Sequence, residues 1–199
     1  MATNFSQSNI SLTGEKVMLK PFHASYGDEL VALAELTNMS SLWFTQVPNK
    51  ATIADYIETA LLQQSANSAL PFVVISKDSG KVIGTTRICN ADFVHRRFEI
   101  GYTWYGEDFQ KTAVNTECKL LLLTYIFEEL DAIAVEFRTH WHNHKSRAAI
   151  ARLGAKQDGV LRNHRIHPDG ELRDTVVFSI IANEWPTVKK SLSYKLLTK

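Results

Sequence analysis

Apolar and polar positions change their spacing along the chain in a way that marks out its elements. Lys16–Pro21 alternates and ends at a proline, which predicts a strand that goes no further. Ser25 with Asp28, and later Thr52 with Asp55, have the spacing of capping boxes. Behind the first, Tyr26, Leu30, Leu33 and Leu36 recur at helical spacing. Behind the second, Ile53, Tyr56, Ile57, Ala60 and Leu61 do the same. Three strand-like runs follow at Pro71–Ser76, Val82–Cys89 and Phe98–Trp104, with Asp78, Ser79 and Gly80 turning the chain between the first two. A long apolar helix is expected over Val114–Leu130, then a β-branched run at Ala132–Thr139. Asn143 is a good N-cap for a helix that Gly154 would end. Gly159–His167 and Thr175–Ile181 read as a hairpin around Pro168, Asp169 and Gly170, and an amphipathic helix from Asn183 closes the sequence.

The predicted order is β-α-α-β-β-β-α-β-α-β-β-α. Antiparallel hairpins that lead into one β-α-β crossover imply an α/β (α+β) domain with a mixed, mostly antiparallel twisted sheet and helices on both faces. No repeat or linker divides the chain. One domain over 14–193 is expected, with a flexible N-terminal segment at 1–13 and a tail at 194–199. The crossover from Phe98 to Thr139 is the expected functional centre, because ligands in such sheets favour the carboxyl ends of parallel strands and nearby helix starts.

Composition narrows the function classes. Twenty-two Lys and Arg against 21 Asp and Glu leave a formal charge of +1, without the basic excess that phosphate-backbone binding needs. Nucleic acid is therefore not an expected partner. Neither is a membrane, since no apolar run is long enough to span one and the first residues do not form a signal peptide. The cytoplasm is the simplest compartment, and the three Asn-x-Ser matches at Asn4, Asn9 and Asn38 carry no weight there. Cys89 and Cys118 are too few for a disulfide framework or zinc cluster and read as small buried hydrophobes.

The stretch from Glu99 to Leu123 is the most informative. A strand passes into a polar loop at Gln110, and the loop turns directly into the leucine-rich helix. Such a start offers unpaired backbone N–H groups and the positive end of the helix dipole, which suit a pyrophosphate. Thr112, Ala113 and Thr116 are small enough for phosphate oxygens to come close. Gly101 suits a backbone that a ligand approaches closely, with a bulge that holds no ligand as the alternative.

At this junction the chain resembles the GNAT superfamily, whose CoA signature is Gln/Arg-x-x-Gly-x-Gly/Ala. Gln110, Ala113 and Asn115 fall on its marked positions, with Ala113 and Asn115 replacing the two glycines. The stretches Val114–Leu123, Val135–Thr139, Asn143–Arg147, Ala149–Ala155, Gly159–Arg162, Pro168–Gly170 and Arg173–Ser179 are similar to the RimJ/RimL-like branch, the ribosomal-protein N-terminal acetyltransferases. The resemblance covers about Leu19 to Trp185 and implies a sheet of about seven strands with two splayed parallel strands, here Phe98–Trp104 and Ala132–Thr139. It implies N-acetyl transfer from acetyl-CoA to a primary amine by direct attack through a tetrahedral intermediate, with no metal. The acceptor would be a protein N-terminus or a small molecule.

The resemblance also implies site residues. Ile100, Gly101 and Tyr102 would pair with the pantetheine arm, and Gln110, Thr112, Ala113, Val114, Asn115 and Thr116 would hold the pyrophosphate. Asn143 would touch the pantetheine arm, with Lys145, Ser146 and Arg147 beside the cofactor. Ser146 is the candidate acid to the leaving sulfur and Tyr102 a second. Glu99 is the candidate base, although a paired surface glutamate is an equal reading. Asn143 and Ser146 also make sense as a helix cap and its first turn alone.

The histidines at 140, 142 and 144 would lie on one side of an extended chain, but a cap at Asn143 breaks that geometry, and they read as rimming the active-site mouth rather than as a zinc site. Trp43 and Phe44, in the loop Asn38–Lys50, and His164 on the last hairpin are candidates for the acceptor side; an apolar lid is the equal alternative. A CoA-binding sensor without turnover is the competing function, and the protein is expected to be a monomer or homodimer.

Overall fold

The strand Leu70–Ser76 shows how two layers arise from one sequence pattern. Phe72 and Val74 point into one apolar cluster and Val73 and Ile75 into another, and all are buried. A strand buried on both faces occupies the middle of a sheet covered by helices on both sides. A computed structural model describes residues 5, 10–37, 39, 42–45, 47–167 and 169–198. Asn4, Asn9, Asn38, Pro168 and most of the expected flexible segment lie outside the described residues.

Among the described residues the sheet has eight strands: β1 (Leu12–Thr13), β2 (Val17–Pro21), β3 (Leu70–Ser76), β4 (Val82–Asp92), β5 (Arg97–Tyr105), β6 (Ala134–His140), β7 (Lys156–Ile166) and β8 (Leu172–Ile181). Their spatial order is β1-β2-β3-β4-β5-β6-β8-β7. Every neighbouring pair is antiparallel except β5 and β6. The sheet thus has one more strand than expected. The addition is the two-residue β1, whose polar, Ser-rich surroundings gave no alternation to read.

The helices are α1 (Gly27–Glu35), α2 (Ile53–Ser65), α3 (Val114–Thr124), α4 (His144–Leu153) and α5 (Trp185–Leu197). Leu122 and Leu123 of α3, Ile150 and Leu153 of α4, and Trp185, Val188 and Leu192 of α5 share the larger cluster with β3 to β8. Leu30 and Ala34 of α1 and Ala60 of α2 form the smaller one with Phe22, Val73, Ile75, Val82 and Trp104 on the other face. Gly154 ends α4 in the left-handed conformation at φ 105°, as its place after Leu153 predicts.

Both capping boxes form differently from their sequence pattern. His23, not Ser25, caps the entry to the first helical segment, its Nδ1 accepting from the Ser25 N–H at 3.2 Å; a 3-10 turn at Ala24–Tyr26 then precedes α1. At α2, Asn49 Oδ1 accepts from the Ala51 and Thr52 N–H groups, and Thr52 makes no side-chain cap bond. An Asx turn upstream has taken the role that spacing assigned to the threonine. The long third helix is also divided: α3 passes at Tyr125–Glu129 into a π-helical turn.

Candidate active site

Strands β5 and β6 pair in parallel only through Arg97↔Ala134, Phe98↔Val135 and Glu99↔Glu136. Beyond that point both strands continue, to Tyr105 and His140, without pairing to each other. The expected splay is present, and it leaves the β5 edge from Ile100 onward free on the β6 side. On the other side the β4–β5 register shifts between Thr85 and Arg87, opposite Trp104 and Gly101. The extra β5 residue falls at the bulge around Tyr102, whose φ is 51°. The backbone irregularity expected at Gly101 therefore sits one residue later. A Cβ on Gly101 would lie 3.2 Å from the Cys89 Sγ and 3.4 Å from the Glu99 Oε1, so the glycine leaves room for these neighbours.

The bulge is held from both faces. The Thr85 hydroxyl donates to the Tyr102 carbonyl at 3.0 Å, and Tyr56 OH lies 3.0 Å from the same hydroxyl. From below, Lys119 Nζ donates to Thr103 Oγ1 at 2.6 Å and to Thr86 Oγ1 at 3.1 Å. Lys119 is 4% exposed, and burial lowers its ammonium to about 8. Tyr102 is not a core aromatic: it is 39% exposed, and its ring lies 4.0 Å from the buried Arg87 guanidinium carbon.

The loop after β5 delivers the chain to the start of α3. Gln110 Nε2 donates to the Tyr105 carbonyl at 3.1 Å, so its side chain fastens the loop to the end of β5. Lys111 adopts a left-handed φ of 59°, and Ala113, the N-cap of α3, takes an ordinary right-handed φ of −68°. Thr112 Oγ1 accepts from the Val114 N–H at 3.2 Å and donates to the Phe109 carbonyl at 2.7 Å. Among the described residues the Asn115 and Thr116 N–H groups have no acceptor. That pair of free amides at the positive end of a helix suits an anion and fits the CoA pyrophosphate. Side chains at Ala113, Val114 and Thr116 are buried, so backbone and not side chain is what the loop offers.

Glu117, one turn in, is committed elsewhere. Its carboxylate accepts the N–H groups of Glu15, Lys16 and Val17 at 2.8, 2.9 and 2.9 Å. This anchors α3 to the start of β2, and Gly14 leaves space for it, since a Cβ there would come within 2.6 Å of the carboxylate carbon.

Glu99 lies where β5 and β6 part. It accepts from Asn90 Nδ2 at 2.7 Å and lies 3.5 Å from Arg138 Nε. Burial raises its carboxyl above the ordinary glutamate range, against the pull of Asn90 and Arg138. Across the strand pair, burial opposes ionisation of Glu136, but hydrogen bonds from Arg97 and Arg138 outweigh it and hold that carboxyl below the usual range. These residues line a cavity of about 180 Å³ with Asn90, Asp92 and Phe98.

At the end of β6, Asn143 caps α4 as predicted, its Oδ1 accepting from the Ser146 N–H at 3.0 Å. Ser146 is half-buried in the first turn, and Lys145 is exposed. Arg147 stacks on Trp141 at 4.3 Å and donates to its carbonyl at 3.2 Å. Trp43 packs edge-on against His140, with ring centroids 4.8 Å apart, and lies 5.8 Å from His142 and 6.4 Å from His167. Phe44 packs on Trp43 at 5.5 Å. The loop between α1 and α2 thereby covers the tip of β6. His140 Nδ1 accepts from the His142 N–H at 3.0 Å, and burial, then Arg173, lowers its imidazole pKa. His164 Nδ1 lies 3.1 Å from Thr175 Oγ1. Among the described residues no group of three or more His, Cys, Asp or Glu is placed to hold a metal ion, and no helix is long and apolar enough to cross a membrane.

Residues 16–156 match the acetyltransferase (GNAT) domain family. The chain belongs to the GNAT acetyltransferase family. That family uses acetyl-CoA as its acetyl donor. Among GNAT relatives, the Bacillus subtilis (strain 168) protein named "Putative ribosomal N-acetyltransferase YdaF" is 34% identical over 106 residues; the match spans 53% of this chain and 57% of that protein. A crystal structure of a GCN5-related N-acetyltransferase from Brucella melitensis superposes with a TM-score of 0.85 at 29% identity, over 96% of this chain and 87% of the other. Mycobacterium smegmatis RimJ, solved in complex with CoA-disulfide, shares the GNAT fold at 19% identity, with a TM-score of 0.78 over 94% of this chain and 95% of that one.

Sequence reasoning missed Lys119, Arg87, Glu117, Glu136 and Arg138. The first three did leave a signal: each is a charged side chain inside an otherwise apolar or β-branched run, where a charge persists only with partners. The last two alternate with apolar Val135 and Phe137 on β6 and mark its polar face.

Proposed function

We propose that this protein transfers the acetyl group of acetyl-CoA to a primary amine, on a protein N-terminus or a small molecule. The observation that carries the reading is the end of β5–β6 pairing at Glu99↔Glu136, beside a helix start with free amides. An unpaired strand edge is a place for an amide-bearing ligand to add hydrogen bonds, and here it leads toward an anion site one loop away.

In this reading the edge at Ile100, Gly101 and Tyr102 pairs with the pantetheine amides. Gln110 and Thr112 shape the loop, and the amides from Ala113 to Thr116 hold the pyrophosphate, with Val114 packing the helix start into the core. Asn143 borders the pantetheine arm from α4, and Lys145 and Arg147 flank the cofactor there. The amine attacks the thioester carbonyl through a tetrahedral intermediate. The N–C bond forms, the C–S bond breaks, one amine proton leaves and the CoA thiolate takes one up. In this reading Glu99 accepts the amine proton, directly or through water, and Ser146 or Tyr102 supplies the proton for sulfur. Trp43, Phe44 and His164 border the acceptor.

The test is release of CoA thiol from acetyl-CoA in the presence of a panel of amines and peptides with free N-termini. Amine-dependent release, with an acetylated product of matching mass, is expected. Saturable acetyl-CoA binding without release from any member would instead indicate a cofactor sensor.

A further inference from the structure

The face of the sheet opposite the α3–α5 core collects arginines that lack matching carboxylates. In antiparallel pairing, directly opposed residues project to the same face. Arg165 of β7 lies opposite Arg173 of β8. Two residues along, Thr175 lies opposite His140 of β6, and four residues back from His140, Glu136 lies opposite Glu99 of β5. A period of two places all of these, with Arg138, on one face. Their apolar neighbours Phe98, Val135, Phe137 and Val176 belong to the core on the other.

Four arginines (97, 138, 165 and 173) therefore share this face with Glu99 and Glu136, in a chain whose formal charge is only +1. Arg97 and Arg138 are bound to Glu136. Neither Arg165 nor Arg173 forms an ion pair among the described residues. The half-buried Arg173 also has a buried Nε with no hydrogen-bond partner. Burial, then Arg165, makes the Arg173 guanidinium easier to deprotonate, as expected of a cation that lacks its anion. Like charges directly opposed on neighbouring strands destabilise a sheet, and a buried guanidinium N–H without an acceptor adds to that cost.

We infer that Arg165 and Arg173 hold an anionic group, a carboxylate or phosphate, carried by the acceptor whose amine lies beside Glu99. The inference rests on the acetyl-transfer reading and adds the substrate class to it: an amine with an acid group. Arginine matches both oxyanions through paired N–H donors.

The experiment measures kcat/KM for thiol release, referred to the free-amine fraction, with acceptors that carry or lack an acid group: glycine against glycinamide, phosphoethanolamine against ethanolamine, and Ala-Glu-amide against Ala-Gln-amide. The charged member of at least one pair is expected to be preferred at least about tenfold, the scale of one charge-assisted hydrogen bond. Which pair shows it identifies the source as a free carboxylate, a phosphate or a peptide side chain. In Arg165→Gln and Arg173→Gln the preference should collapse, while the acetyl-CoA melting shift stays. Arg165 is exposed, so its variant reports even if the Arg173 variant folds poorly. Equal use of charged and neutral members, or a preference that survives both substitutions, overturns the inference and leaves acetyl transfer intact. Acetyl-CoA binding with no thiol release from any acceptor removes the acetyl-transfer reading itself, and this inference with it.

Discussion

Glu99 shows how a single side chain is set by its surroundings. It is the last residue of β5 that pairs with β6, held by Asn90 and close to Arg138, and burial keeps its carboxyl above the ordinary glutamate range. A carboxylate that holds its proton to higher pH is better matched to accept one near neutrality. The acid limb of kcat/KM is therefore expected above the ordinary glutamate range. Glu99→Gln, which keeps the shape and a hydrogen-bond partner for Asn90, should remove that limb and lower kcat by about 100-fold. An unchanged pH profile would return Glu99 to a structural role. The sequence exposed this residue by its place before the splay, but not the raised carboxyl, because Asn90 and Arg138 come from β4 and β6 and reach it only once the sheet is built.

At the scale of the element, α3 combines what the sequence made legible with what it concealed. The leucine run announces a buried helix, and the alanine at its start announces right-handed entry; Ala113 has φ −68°. The roles of Glu117 and Lys119 depend on β2 and on the β4–β5 bulge, which no local pattern encodes. Lys119 has a thermodynamic consequence. Burial takes its ammonium from 10.5 to about 8, so between those values the unfolded chain binds the proton and the folded chain does not. Stability from this group must then rise with pH across that window. Below it both states are charged, and the folded state bears the penalty, about 3 kcal/mol. Lys119→Met should be at least as stable as the native protein at pH 7 and lose that advantage by pH 10, measured by urea unfolding at both values. A stability difference independent of pH would mean that the ammonium is not desolvated.

For the whole molecule, most strand positions and the crossover were readable from alternation and turn residues. What was not readable came from competition between equivalent local options: His23 and Asn49 as caps, the π-helical turn after Thr124, and β1. The site was legible as a location, the junction of β5 and α3, and less so as a set of side chains. Gln110 turns back to the Tyr105 carbonyl, and the loop keeps free backbone amides although Ala113 and Asn115 stand where the signature has glycines. The family match and the fold neighbours settle the class of protein. Acetyl-CoA at the Gln110–Thr116 loop remains the claim on which the mechanism depends. Calorimetric titration of acetyl-CoA into the native protein and Ala113→Asp tests it most directly. Ala113 is buried, so a melting curve of the variant first establishes that it folds; its added carboxylate then puts negative charge at the helix start, beside the amides that would hold the pyrophosphate. Saturable one-to-one binding to the native protein, weakened at least about tenfold in the variant by like-charge repulsion, is the expected result; no binding to the native protein, or equal affinity in both, would contradict it.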